Sequence, residues 1–326
     1  RVSMAPATRL LAQLERLAPD ASFALPPVPL PPLHAPVSRI GRVDASVPRA
    51  LQALAGVPVF CCSHDSWASA LGLGALQAGR AYNLSGTTEV FGLMTEHDTP
   101  GDGLLSVDWD GLFHIGGPSQ NGAATVRWLT SLLGIDAVPD FEALLGGPRH
   151  PQPLLFLPYL QGERVPYWNP RLRGAFVGLH SQHGATDLAY AVLEGVACAT
   201  REVLGRAERL SGVPVREVRF GGGGAANRRW CQIKADVCNR PIVVGAAPEP
   251  GLLGAAITAW TGLGRFADLA AALDALVQVA ARHAPDPAEA LRYDRVFALF
   301  QQARGALAPV SGALADLAAF SARPHP

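Results

Sequence analysis

The sequence predicts an α/β protein with a large buried core. Short apolar runs typical of strands alternate with longer stretches whose apolar residues repeat at helical spacing. Hydrophobic residues make up 49% of the 326 residues and charged residues only 17%. Because such a composition can fill a substantial core, we expect a folded chain rather than a disordered one.

From the amino end, a helix is predicted first, followed by a linker. Residues 1–22 carry several leucines on one side of a helical pattern, and residues 25–36 are rich in proline, which favours an extended connection. A short buried strand is predicted at 57–62. A Ser-His-Asp turn then leads into an alanine-rich helix at about 66–73.

Several short strands separated by turn signals come next, which indicates a small antiparallel or mixed sheet. They are predicted at 81–85, 90–94, 104–109 and 112–115. Strands and helices then alternate. The predicted strands cover 154–158, 175–179, 218–220 and 242–244, and the predicted helices cover 121–133, 187–210, 227–238 and 252–260. The last sixty residues are predicted to form helices punctuated by Pro285, Pro287, Pro309 and Gly312.

Charge and cysteine content exclude several classes of partner. Basic and acidic residues number 27 each, so the formal net charge is zero and we expect no nucleic-acid partner. No apolar run approaches the ~20 residues of a membrane-spanning helix, so no membrane partner is expected. Five cysteines without metal-site spacing favour a reduced, cytoplasmic setting and no protein-held metal. Because the chain starts at Arg1, without a leader-like segment, we expect it to begin inside a longer protein or after processing.

A run of four glycines forms the first candidate site. The segment from Phe220 to Asn227 reads as a strand that ends in Gly221–Gly224 and opens into a helix. Glycines without Cβ atoms, together with the positive end of a helix, allow backbone N–H groups to approach an anionic ligand such as a nucleotide. A tight strand-to-helix turn without a ligand explains the same residues equally well.

Two further candidate sites lie earlier in the chain. Gly86, Thr87 and Thr88 stand between two predicted strands, where they can hold phosphate oxygens or form an ordinary β-turn. Asp65 follows a strand and starts a helix, the place where open α/β sheets bind ligands, but an aspartate there can also serve as a helix N-cap. His64 lacks a second histidine at metal spacing, so we expect a structural role for it.

Charged side chains in the proline-rich segment after residue 157 favour structural pairing. Glu163 lies next to Arg164 and near Arg173 in an otherwise apolar stretch. Charges in such surroundings usually pair with one another. We therefore predict that Glu163 forms a structural ion pair with one of these arginines, in preference to the alternative of a catalytic role.

Taken together and in order, these motifs resemble the FGGY family of carbohydrate kinases over about residues 57–264. Five motifs carry the resemblance: Pro58-Val-Phe with Ser-His-Asp65, Ser85-Gly-Thr87, Pro158 to Arg164 continuing through Arg173-Gly174 to Glu194-Gly195, Gly221 to Asn227 with Trp230, and Glu249 to Ala256. The resemblance implies the actin-like, ribonuclease-H-like ATPase fold. It also implies ATP and Mg²⁺ as cofactors and a small sugar or polyol as substrate.

The resemblance also implies roles for individual residues. Asp65 would be the catalytic base that takes a proton from the sugar hydroxyl. Substrate contacts would involve His64, Asp65 and Ser66. The nucleotide would be held by Gly86, Thr87, Thr88, Gly122, Ala123, Gly222, Gly223, Gly224 and Asn227.

The family's opening Asp-x-Gly-Thr-Thr hairpin does not occur in this sequence. The resemblance therefore implies a C-terminal FGGY domain with a remnant of the N-terminal domain. The expected segments are 1–78 (end of the first domain), 79–265 (nucleotide-binding domain) and 266–326 (C-terminal helices). Two functions stay open: a sugar kinase, with a ketopentose such as xylulose as first choice, or a catalytically incomplete fragment or degenerate relative that binds nucleotide or assembles without kinase activity. We also expect a homodimer, since a truncated first domain would leave apolar surface exposed.

Overall fold

The structure, a computed structural model, describes residues 34–109, 111–135 and 138–321. The helix predicted at 1–22 and most of the proline-rich linker lie outside these ranges. The described strands are β1 (Arg39–Arg42), β2 (Pro58–Phe60), β3 (Arg80–Ser85), β4 (Glu89–Thr95), β5 (Leu105–Asp108), β6 (Phe113–Ser119), β7 (Leu155–Leu157), β8 (Ala175–Val177), β9 (Glu217–Gly221), β10 (Ile242–Gly245) and β11 (Val279–His283).

Helices surround these strands. The described α-helices are α1 (Asp65–Gly72), α2 (Ala123–Leu132), α3 (Val138–Leu145), α4 (Ala185–Ser211), α5 (Arg228–Cys238), α6 (Pro250–Gly262), α7 (Leu269–Leu276) and α8 (Pro287–Ser321). Short 3-10 helices lie at Arg49–Leu54 and Gly223–Ala226. The alternation of strands and helices confirms the predicted α/β class. No helix within the described ranges combines the length and hydropathy needed to cross a bilayer.

A seven-stranded mixed sheet forms the centre, in the order β11-β10-β9-β3-β4-β6-β5. The hairpin strands β3, β4, β6 and β5 are antiparallel, as predicted, but they continue into the later strands rather than forming a separate small sheet. β9 joins them by pairing parallel to β3, and β10 pairs parallel to β9. The parallel pairing places the end of β9, with its glycines, beside the end of β3.

Successive residues of β3 point to opposite faces of this sheet. Tyr82 packs with α1, α6 and α7 in one apolar cluster, whereas Ala81 packs in a second cluster, with residues of α4 and α5. A third cluster joins α4 and α8 around β7. The strand β3 therefore separates two cores, and its side chains alternate between them.

Four strands and α-helices depart from the sequence predictions. The chain forms β1, α3 and the edge strand β11, none of which was predicted, and β11 is held by pairing with β10 rather than by an alternating apolar pattern. The last helix, α8, runs through Pro309 and Gly312, where breaks were predicted. Proline removes one backbone hydrogen bond from a helix. The remaining turns of α8 outweigh that loss because Tyr293, Val296 and Phe300 are buried in the third cluster.

The helices α1 and α6 meet backbone to backbone. A Cβ atom on Gly72 would overlap the carbonyl oxygen of Pro250, and a Cβ atom on Gly254 would overlap the carbonyl oxygen of Ala68. Only glycine allows such an approach at either position. The position of α1, which starts at Asp65, is therefore fixed by α6.

Candidate functional site

The turn formed by Gly86, Thr87 and Thr88 connects β3 to β4, with Ser85 opposite Glu89. Its carbonyl groups bind the start of α2: the amide of Ala123 donates to the Gly86 oxygen at 2.9 Å, and the amide of Ala124 donates to the Thr87 oxygen at 3.1 Å. Helix starts leave such amides without helical partners. Here the turn satisfies them, so the backbone amide of Ala123, a residue predicted to line the nucleotide pocket, already has a partner.

Gly122 was predicted to lie inside a helix. In the structure it is instead the N-cap of α2. A Cβ atom at this position would lie 2.7 Å from the carbonyl carbon of Thr88. The position therefore needs glycine so that the chain can pass against the turn. The turn and the start of α2 form one packed unit.

A buried carboxylate, Glu163, holds the segment that leads into Gly122. It accepts hydrogen bonds from the Ser119 hydroxyl and the Gln120 amide, both at 2.8 Å, and from the Asn121 side chain at 3.2 Å. Burial raises the pKa of Glu163, although these bonds oppose the shift. The predicted ion pair is wrong: the Arg164 and Arg173 guanidinium groups donate to backbone carbonyls, and no arginine in the described ranges forms an ion pair with Glu163. The Glu163 carboxylate is therefore bound by backbone and side-chain donors just before α2, and not by an arginine as expected.

The glycine loop, Gly221–Asn227, lies against the end of β3. Gly222 has φ of 82°, and a Cβ atom on it would lie 2.6 Å from the Ser85 carbonyl oxygen. A Cβ atom on Gly224 would lie 2.8 Å from both the Ser85 hydroxyl and the Trp230 ring. Gly223 is exposed instead, and a Cβ atom there would have nothing within 4 Å. Gly222 and Gly224 therefore pack the loop against β3, whereas Gly223 faces open space.

Asn227 caps the helix that follows this loop. Its side-chain oxygen accepts a hydrogen bond from the Trp230 amide at 2.8 Å, and α5 begins at the next residue. This capping explains an asparagine at the position. The implied contact of Asn227 with adenosine remains a prediction.

Asp65 is the first residue of α1, and its side chain is 99% exposed. The N-cap is His64, whose Nδ1 atom accepts a hydrogen bond from the Trp67 amide at 3.2 Å, so Asp65 is not the cap. The amide and hydroxyl of Ser66 both donate to the Asp65 carboxylate. β2, which precedes Asp65, pairs with β1 in a two-stranded sheet and not with the central sheet. Asp65 therefore reaches its place through α1 and not through an edge of the main sheet.

An aromatic cluster lies beneath His64. Its ring contacts Trp109 edge-on at 5.2 Å, Trp109 stacks on His114 at 4.7 Å, and Tyr82 lies 5.5 Å from His114. Burial lowers the pKa of His64 and raises the pKa of Tyr82, and the nearby Asp65 carboxylate adds to the rise at Tyr82. The structural role expected for His64 fits this packing and its capping bond.

The structure thus places the predicted site residues in two groups. The turn, Gly122 and the glycine loop contact one another around Ser85 and Thr88. His64, Asp65 and Ser66 lie with the cluster on the Tyr82 face of the sheet. Within the part of the chain that the structure describes, no hydrogen bond joins Asp65 to the turn.

Stability is expected to fall in mild acid because of His114. Burial, with a smaller contribution from His64, holds its pKa at about 4, below the ordinary value. In the unfolded chain the imidazole of His114 takes up a proton at about pH 6.5, whereas in the folded chain it does so only near pH 4. The free energy of unfolding is therefore highest above about pH 6.5 and decreases as the pH falls toward 4, by about 3 kcal/mol in total. Urea unfolding at several pH values measures it. His114→Phe should flatten this dependence and exposed His97→Gln should not; equal pH profiles for wild type and His114→Phe would contradict the assignment.

Two cationic residues near the site were missed by sequence reasoning. Arg127 of α2 donates to the Thr87 hydroxyl at 3.0 Å, which places a guanidinium beside the turn. Lys234 of α5 is buried against Glu89, the residue that follows the turn. Arg127 follows Ala123 by one helical turn, and this spacing could have indicated that Arg127 lies near the site. Lys234 carried no signal beyond being the single lysine of the sequence.

The mixed sheet thus places the Gly86–Thr88 turn and the glycine loop at adjoining strand ends. The xylulose kinase structure from Rhodospirillum rubrum is similar, with a TM-score of 0.74, 30% identity, and coverage of 92% of this chain and 61% of that one. The fold is the actin-like, ribonuclease-H-like ATPase fold. The sequence model of the FGGY family of carbohydrate kinases, C-terminal domain, matches residues 81–263. The chain belongs to this family.

Two relatives show the extent of the similarity. The glycerol kinase of Paenarthrobacter aurescens is 32% identical over 256 residues, which cover 76% of this chain and 50% of that protein. The xylulose kinase of Escherichia coli is 32% identical over 215 residues, which cover 62% of this chain and 43% of that protein. The chain spans about half the length of these curated relatives.

Proposed function

We propose that this chain is the nucleotide-binding part of an ATP-dependent sugar or polyol kinase. One observation carries the proposal: the Gly86–Thr88 turn and the glycine loop meet at Ser85, while Gly86, Thr87 and Gly223 stay exposed. A phosphate chain needs backbone donors and hydroxyls that a ligand can reach. The packed glycines bring the turn and the glycine loop together, and a phosphate chain can reach the exposed residues.

The roles implied for the nucleotide fit these residues. Gly86, Thr87 and Thr88 would hold the β- and γ-phosphates, and Gly222, Gly223, Gly224 and Asn227 would surround the adenosine, with Gly122 and Ala123 behind them. Arg127 adds a positive charge at the phosphate end. Within the described ranges, no group of three His, Cys, Asp or Glu residues is placed to hold a metal ion. Proteins usually hold Mg²⁺ through one or two carboxylates together with substrate phosphate oxygens and water, so a Mg²⁺ ion that binds with ATP needs no such group of three.

Asp65 would act as the general base toward the sugar hydroxyl, with His64 and Ser66 beside the substrate. Phosphoryl transfer depends on positioning and charge stabilisation, and a Mg²⁺ ion bound with ATP would supply part of that charge stabilisation at the γ-phosphate. An exposed carboxylate fixed at the start of a packed helix can accept a proton from a substrate that binds over it. The substrate we propose first is a ketopentose such as xylulose; the relatives named xylulose kinase support it, and those named glycerol kinase keep a polyol as the alternative.

Several further assignments belong to this proposal. We propose domain boundaries after residues 78 and 265. We also propose that the protein is located in the cytoplasm and assembles as a homodimer. The exposed apolar side chains Leu291, Leu314 and Leu317 on α8 support self-association. The mass of the complete gene product in solution tests it.

Gly223→Val tests the nucleotide site. A Cβ atom at Gly223 would meet no protein atom within 4 Å, and Gly223 is not among the glycines with positive φ, so the variant should fold as the wild type does. It should nonetheless bind a nonhydrolysable ATP analogue about tenfold or more weakly, since the new side chain occupies the space that the nucleotide would fill. Calorimetric titration of the complete gene product measures the change.

Two other glycines serve as controls for this variant. Gly41→Val also adds a side chain in open space, on β1, and should leave the affinity for the analogue unchanged. Gly224→Val should disturb folding, because Ser85 and Trp230 already occupy the space. A folded Gly223→Val protein with wild-type affinity would make the loop a structural turn and remove the main support for the proposed function.

A further inference from the structure

A buried ion pair lies directly beneath the Gly86–Thr88 turn. The ammonium of Lys234 is fully buried and lies 2.9 Å from Oε1 of Glu89. It also donates to Oδ1 of Asn83 at 2.8 Å and to the Thr200 hydroxyl at 3.0 Å. An ammonium group has three N–H donors. Glu89, Asn83 and Thr200 together accept all three, and Oε2 of Glu89 also lies within reach at 3.2 Å.

These partners stand at both strands that carry the turn. Asn83 lies on β3 shortly before it, and Glu89 is the first residue of β4, directly after Thr88. The Thr200 hydroxyl of α4 also donates to Oε2 of Glu89 at 3.0 Å, which closes the network. Lys234 therefore ties the two ends of the turn to each other.

Lys234 is equally tied to the glycine loop. It belongs to α5, whose cap is Asn227 at the end of that loop. Its ammonium lies 5.1 Å from the centre of the Phe220 ring and 5.3 Å from that of the Trp230 ring. Phe220 precedes the glycines, and Trp230 packs against Gly224. A single charge thus contacts residues on both sides of the loop and on both sides of the turn.

We infer that Lys234 and Glu89 are positioning residues that hold the turn at a fixed place relative to the glycine loop and thereby set the affinity for the phosphate end of the nucleotide. This inference rests on the proposed function. Stability alone is a weak reason for such a pair, because a buried ion pair is often no more stabilising than apolar side chains of similar size. All 26 other basic residues are arginine, since 27 are basic and one is lysine. A compact ammonium with three donors suits this enclosed site better than a planar guanidinium.

The deciding variant is the double substitution Lys234→Met/Glu89→Gln. Lys234→Met alone would leave a charged Glu89 buried without a partner and disturb folding, whereas the double variant removes both charges. In the complete gene product, we expect it to unfold within a few degrees of the wild type. We expect about tenfold weaker binding of adenosine 5′-(β,γ-imido)triphosphate with Mg²⁺, and less than about a twofold change for adenosine.

A second ion pair provides the matched control. Arg149 lies 2.7 Å from Glu194 of α4, and Glu194 is buried as well; its other hydrogen-bond partner is Tyr293 of α8, not a residue of the turn or the glycine loop. Arg149→Met/Glu194→Gln should leave the affinities for both ligands unchanged. Thr200→Val, which keeps both charges of the Lys234 pair, should lower the affinity for the triphosphate analogue by about threefold and serves if the double variant does not fold.

The outcomes separate this inference from the proposed function. If the wild type binds neither ligand, the proposed nucleotide site is wrong and the positioning role with it. If the wild type binds both ligands, two results would overturn only the positioning role. In one, the folded variants bind the triphosphate analogue as tightly as the wild type does. In the other, they lose as much affinity for adenosine as for the triphosphate analogue. A loss of affinity for the triphosphate analogue but not for adenosine supports both the positioning role and the proposed nucleotide site.

Discussion

Asp65→Asn is expected to reduce kcat for sugar phosphorylation by about 10²- to 10⁴-fold in the complete gene product, which is the usual effect of removing a positioned base. The amide keeps the size of the carboxylate and can still accept from the Ser66 amide and hydroxyl, so α1 should remain intact. Because Asp65 makes no hydrogen bond to the Gly86–Thr88 turn, affinity for the ATP analogue should stay within about twofold of wild type. Steady-state rates and calorimetric titration on both proteins measure the two effects.

Asp98→Asn is the control for this prediction, since Asp98 is another exposed aspartate. It should leave both kcat and nucleotide affinity unchanged. A wild-type kcat in the Asp65→Asn protein would remove Asp65 from the mechanism. A loss of nucleotide affinity larger than the loss of kcat would instead place the carboxylate in the nucleotide site.

The second large effect is expected from the chain by itself. The 326 residues span about half the length of their curated relatives and carry no Asp-x-Gly-Thr-Thr hairpin. Phosphoryl transfer in a two-domain cleft needs both walls, since closure excludes water and completes the contacts to the γ-phosphate. Loss of even one such electrostatic contact costs about 10²- to 10³-fold in rate. We therefore expect phosphorylation by the isolated chain to fall below about a thousandth of the rate of the complete gene product.

The test compares the isolated chain and the complete gene product with MgATP and a panel of ketoses and polyols. The same panel identifies the substrate, with xylulose expected first. Robust phosphorylation by the isolated chain would show that a single wall suffices. Inactivity of both proteins, with nucleotide binding retained, would favour the degenerate relative that binds nucleotide without kinase activity.

The sequence predicted the parts of the site that are encoded locally. The glycine loop and the Gly86–Thr88 turn were found because a few adjacent residues set each backbone geometry. Lys234 could not be assigned in this way, because its partners Glu89 and Asn83 lie 145 and 151 residues away in sequence and only the fold brings them together. The pairing expected for Glu163 failed for a related reason: its donors come from residues 119–121, more than forty positions earlier.

The strand β11 shows the same limit for the fold. Its residues, Val279–His283, are mostly exposed and lack the alternation by which half-buried strands are recognised. Pairing with β10 alone makes this segment a strand. The continuation of α8 through Pro309 likewise depends on packing elsewhere along the helix.

The glycine contact between α1 and α6 bears on how a kinase built from this chain would move. Because Gly72 and Gly254 bring the two backbones together, α1 has no room to slide or pivot on α6. The start of α1, with the carboxylate of Asp65, therefore keeps its position relative to α6. In the proposed kinase, this contact would keep the carboxylate of Asp65 at a constant distance from α6 while the cleft opens and shuts.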